Sequence, residues 1–88
     1  MEKDMKFNKD NHKFDDKVQE IRVEYTKACE NFGEFVSRHE GIAIIEEEFL
    51  EFREAAMWPH KCESNDAYTE VKQLAAMCIR YMVDVERT

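Results

Sequence analysis

The sequence predicts an all-α fold, and three observations carry that expectation. Two glycines and one proline are all that occur in 88 residues, whereas sheets and their turns need more punctuation. Apolar side chains recur at steps of three and four along three separate stretches, which is the period of an amphipathic helix. Gly33 and Pro59 fall between those stretches, where chain breaks belong.

Residues 1–12 are charged and poor in apolar side chains, with Lys3, Lys6 and Lys9 interleaved with Asp4 and Asp10. That composition reads as a flexible or partly ordered arm. From about Phe14 to Phe32, the residues Phe14, Val18, Ile21, Val23, Tyr25 and Cys29 recur largely at steps of three and four and build a first amphipathic helix, and Gly33 is its natural stop. Ser37 and Glu40 form a capping box, in which hydroxyl and carboxylate satisfy early backbone N–H groups reciprocally. A second helix is therefore predicted from Arg38 to about Met57. Its apolar residues Ile42, Ile45, Phe49, Phe52 and Ala56 follow a 3-4-3-4 spacing, and Pro59 prevents its extension. The polar stretch from His60 to Asn65 is a loop, after which Ser64, Asn65 or Asp66 can cap a third helix reaching Glu86. Apolar residues nearly encircle that helix, which suits burial among several neighbours. The second and third helices should pair as an antiparallel hairpin, with the first flanking it.

A chain of this length makes one domain and buries only about 60–65% of the surface its unfolded form exposes. Its hydrophobic fraction is nonetheless 43%, so self-association is the default expectation. The net charge of −7 argues against direct nucleic-acid binding, which needs clustered Lys and Arg. Three cysteines at irregular spacing, Cys29, Cys62 and Cys78, with no apolar segment ahead of them, point to reduced thiols and a cytoplasmic setting. No apolar run approaches the roughly 18 residues of a membrane span, so no membrane partner is expected.

Chemistry concentrates on the second helix. Five of the nine residues from Glu46 to Glu54 are glutamate, and Glu47, Glu48 and Glu51 share one helical face, where like charges at this spacing repel by roughly 0.2–0.5 kcal/mol per pair. A divalent cation converts that repulsion into affinity, and oxygen-rich sites of this kind suit Mg²⁺ or Mn²⁺. A solvated acidic face is the alternative.

The segment Ser37-Arg38-His39-Glu40-Gly41, followed by Glu47-Glu48-Phe49-Leu50-Glu51, resembles the start and the EExxE motif of the MazG-like all-α nucleoside triphosphate pyrophosphohydrolases, in their short phage and prophage-type branch. The family carries an ExxD motif on the next helix, where this chain has Glu70-Val71-Lys72-Gln73, with Gln in place of the final Asp. The resemblance covers about Phe32 to Val85. It implies that 13–88 is a single MazG-like helical domain whose four-helix-bundle core is completed by oligomerisation, as a homodimer or a dimer of dimers. The implied activity is Mg²⁺-dependent (or Mn²⁺-dependent) hydrolysis of a nucleoside triphosphate to monophosphate and pyrophosphate. Glu48, Glu51 and Glu70 would be the principal ligands, and Glu47 a further ligand or the base that orients water. Gln73 retains a carbonyl oxygen for coordination but carries no charge. A fold that keeps nucleotide or protein binding and has lost catalysis is the alternative that Gln73 raises.

Arg80, Lys72 and Trp58 are candidate substrate contacts. For Arg80 the competing role is an ion pair with Asp84, four residues on. Lys72, with Lys61 and Arg53, is otherwise a surface charge, and Trp58 otherwise closes the hairpin. His60 and Cys62 lack the paired spacing of a zinc site, and His39 suits a polar role at the helix start. Met57, Met77 and Met82 are core or interface filler.

Overall fold

The computed structural model describes residues 2–58 and 66–86, with side chains from Asn11 onward. They form three helices, α1 (Glu2–Asn31), α2 (Arg38–Met57) and α3 (Ala67–Asp84). The all-α expectation holds among the described residues. Pro59 and the polar stretch 60–65 lie outside them, together with Lys61, His60 and Cys62 and the zinc arrangement considered for the last two.

Helix α1 begins at Glu2, so its backbone takes in the segment that the composition assigns to a charged arm. Nothing from Glu2 to Phe32 breaks a helix, and Lys and Glu rank among the better helix formers. It ends at Asn31, just before Gly33, as the sequence indicates. Gly33 does so without a positive φ.

The start of α2 matches the capping expectation in part. The Ser37 hydroxyl accepts from the Glu40 N–H at 3.1 Å, but the Glu40 carboxylate reaches past the cap and accepts from the Val36 N–H at 2.7 Å. At the other end the Trp58 N–H donates to the Glu54 carbonyl at 2.9 Å. Asp66 caps α3, its carboxylate accepting from the Thr69 N–H at 3.0 Å.

Helix α3 is the central element, packed against α2 on one side and α1 on the other. The contacts set the directions. Phe35, just ahead of α2, donates its N–H to the Asp84 carboxylate at the end of α3 (3.1 Å), and Arg38 pairs with Glu86 at 2.5 Å. The hairpin is thus antiparallel. Lys17 meets Tyr68 at the start of α3 (2.7 Å), whereas Gly33 meets Arg80 near its end, so α1 runs parallel to α3. The core is small. Ala28, Phe35, Ala76 and Met77 are buried together, with Ile21, Tyr25, Ile44, Ile45, Tyr81 and Val85 packed around them. Among the described residues no large side chain is fully enclosed, and the molecule measures 44 × 41 × 20 Å. A layer this thin has two broad faces and little interior.

Candidate metal centre

Because α1 and α2 lie on opposite sides of α3, a groove of about 830 Å³ opens between them with α3 as its floor. Glu40, Ile44, Glu47 and Glu48 form the α2 wall, and Glu24 and Lys27 the α1 wall. Gln73, Ala76 and Arg80 face it from the floor.

At the edge of this groove, where α2 and α3 touch, the carboxylates of Glu48, Glu51 and Glu70 converge. One oxygen from each lies within 4.8 Å of the others. The helical repeat explains the convergence. Glu48 and Glu51 stand one turn apart on α2, and the antiparallel hairpin brings the first turn of α3, with Glu70, level with them. Ala55 is buried one turn further along α2, and its small side chain lets the helices approach.

Burial separates Glu70, and in part the half-buried Glu48, from a solvated face, whereas Glu51 is exposed. Glu70 is 4% exposed, and both its Oε1 and that of Glu48 are enclosed without a hydrogen-bond partner. Carboxylate oxygens withdrawn from water without compensation are costly. Burial, and then the charges of Glu51, Glu70 and Glu47, push the Glu48 carboxyl up to about 7. Burial, and then the charge of Glu51, also raise that of Glu70. Protons relieve the repulsion at low pH, and a divalent cation would relieve it at neutral pH. The donor set, three carboxylates with two orphaned oxygens, fits a hard cation such as Mg²⁺ or Mn²⁺.

No family model, curated protein or solved structure matches this chain.

The remaining sequence candidates divide by position. Glu47 and Gln73 both face the groove beside the carboxylates, so α2 and α3 do bring them together with Glu48. Arg80 also lines the groove, yet it is 3% exposed; its Nη2 donates to the Gly33 carbonyl and its Nη1, at 3.7 Å, to Met77 Sδ, while its Nε is enclosed without a partner. Its guanidinium lies 4.4 Å from the centre of the Phe35 ring. The pairing expected with Asp84 does not form, because Asp84 is turned to the Phe35 N–H. Lys72 lies away from the groove, 3.6 Å from Glu20 on α1 and over the Tyr68 ring. Trp58, at the end of α2, holds Arg53 over its ring at 5.7 Å and does not line the groove. His39 is exposed. Among Met57, Met77 and Met82, Met77 is core, and Met57 and Met82 are exposed.

Phe35 is the residue that sequence reasoning missed. It is 7% exposed and seats Arg80, but it sits in an irregular connector where no periodicity marks a buried position.

Proposed function

We propose that this chain is a divalent-metal-dependent nucleotide pyrophosphohydrolase of the MazG-like type, cutting a nucleoside triphosphate to monophosphate and pyrophosphate. The observation that carries the proposal is the meeting of Glu48, Glu51 and Glu70 within 4.8 Å, with enclosed and unpartnered oxygens on two of them. Glu51 and Glu70 hold the cation from opposite helices, and Glu48 adds the third carboxylate. Gln73, one turn beyond Glu70, offers an uncharged carbonyl oxygen. Glu47, on the groove wall, is placed to take a proton from water as a general base. A bound divalent cation would supply charge neutralisation at phosphate and lower the pKa of water. The groove, at about 830 Å³, lies in the general range of small-molecule and cofactor pockets.

A second reading is favoured by Gln73 and by Arg80. Gln73 removes one charge from the metal set, and Nη2 of Arg80 is held by the Gly33 carbonyl of its own chain. Under this reading the domain binds metal and nucleotide, or a protein partner, without turning substrate over. Assembly into a homodimer or a dimer of dimers, and residence in the cytoplasm, belong to the proposal under either reading.

Incubation with Mg²⁺ or Mn²⁺ and a panel of nucleoside triphosphates, with pyrophosphate release as the readout, separates the two. Release that Glu51→Ala abolishes supports the hydrolase. Saturable metal binding without release from any triphosphate rejects it and leaves the binding module.

A further inference from the structure

The groove has two ends of different character. Gln73 on its floor lies beside the carboxylates, and Arg80, further along α3, lies beside the α1–α2 connector. At roughly 1.5 Å per residue the two ends are about 10 Å apart. The carboxylate end is walled by Glu47 and Glu48, whereas Phe32, Phe35, Ile44 and Met77 line the connector end. Charged groups at the connector end are mostly engaged within the chain. The Glu40 carboxylate accepts from the Val36 N–H, Lys27 lies 3.8 Å from Glu24, and Nη2 of Arg80 donates to the Gly33 carbonyl. Glu34 is left over and exposed, and it repels a phosphate but not a neutral ring.

Phe32 is the side chain at this end without a packing role. It is 66% exposed, while Phe35 is buried in the core. A single exposed phenyl ring is ordinary on a protein surface, but this one lines the groove and its backbone is fixed. Its N–H donates to the Ala28 carbonyl at 2.9 Å, in the last turn of α1. The next residue is Gly33, where a Cβ would meet nothing within 4 Å, so nothing crowds the connector there. An apolar aromatic face held in place and open to the groove suits a flat heteroaromatic ring. Asn31 lines the same end, and its amide carries both donors and an acceptor for the edge of such a ring.

We infer that Phe32 is the stacking platform for the nucleobase of the substrate, which lies with its phosphates toward the carboxylate cluster and its base against the connector. A nucleoside triphosphate has one highly charged end and one flat, weakly polar end, and the groove offers a matching pair. The inference rests on the nucleotide reading and adds to it a direction of binding and the residue that holds the base. Trp58, the aromatic candidate from the sequence, does not line the groove and takes no part.

The test is equilibrium binding with Mn²⁺ saturating. It compares α,β-methylene analogues of ATP and UTP, which resist cleavage, with inorganic triphosphate, which has the charged end and no base. Phe32→Ala should weaken binding of the analogues about tenfold and leave that of inorganic triphosphate unchanged, and Phe32→Trp should bind the analogues as the parent does. The melting temperature should not move, because the ring is exposed. Should Phe32→Ala not fold, Phe32→Leu takes its place, since it keeps an apolar side chain without a π face. Analogues bound as tightly by the variant as by the parent, or both kinds of ligand weakened alike, overturn the inference and leave the hydrolase reading standing. A parent chain that binds none of these triphosphates rejects the nucleotide reading itself, and this inference with it.

Discussion

Gly41 on α2 and Tyr81 on α3 are in such close contact that a Cβ on Gly41 would collide with the tyrosine ring, standing 2.8 Å from Cε1. The contact lets the last turns of α3 lie against the first turn of α2, and it aligns the hairpin so that Glu70 comes level with Glu48 and Glu51 at its other end. Gly41→Ala should therefore destabilise the fold. The gain in helix propensity of up to about 1 kcal/mol is outweighed by overpacking, typically 1–3 kcal/mol. Gly33→Ala is the control, since nothing lies within 4 Å of a Cβ there and its φ is not positive; it should change stability by no more than about 0.5 kcal/mol. Urea denaturation of both variants checks the contrast.

Arg80 joins the α1–α2 connector to α3 through the Gly33 carbonyl and the Phe35 ring. Arg80→Ala should cost about 2–3 kcal/mol, because it leaves a carbonyl without its donor and a ring without its cover. Arg80→Lys should recover only part of that loss, since an ammonium does not reproduce a guanidinium stacked on a ring. Equal stability of the lysine variant and the parent would show that charge alone matters at this position.

Without metal, stability should fall as pH rises from about 5 to 8. The folded-state pKa of Glu48 is about 7, above its ordinary 4.5. Its contribution is therefore fully present below the unfolded value and is lost as pH climbs through the folded one. Glu70 is shifted in the same direction. Melting in the presence of a chelator should show a higher Tm at pH 5.5 than at pH 8, and Mn²⁺ should raise the Tm at pH 8 by binding the ionised cluster. A Tm insensitive to both would mean that the carboxylates do not feel one another.

Restoring a carboxylate with Gln73→Asp should strengthen Mn²⁺ binding by about tenfold, through one added ligand charge, as read by calorimetry. In the metal-free chain the same change should destabilise by roughly 0.2–0.5 kcal/mol, because Asp at this position sits one turn from Glu70. Affinity that does not change would place residue 73 outside the metal's reach.

Local signals in the sequence anticipated the local structure. Ser37 and Glu40 marked the start of α2, Asp66 was among the candidate caps of α3, and the scarcity of breakers specified helices throughout. The start of α1 departed from expectation because its stripe begins at Phe14, and helix propensity without a stripe carries the backbone back to Glu2. The Arg80–Asp84 pairing failed for a non-local reason, since helical spacing allowed it while the connector offered each residue a different partner.

For the candidate site, spacing along α2 placed Glu48 and Glu51 on one face, and that much belongs to the chain by itself. Their meeting with Glu70, the enclosure of two carboxylate oxygens, the removal of Lys72 and Trp58 from the groove and the engagement of Arg80 were decided only when α3 packed between α1 and α2. Periodicity and capping act over one or two turns, so a sequence states them directly. Burial and proximity arise between residues far apart in the chain, and the close passage of Gly41 by Tyr81 is an example that no local pattern records.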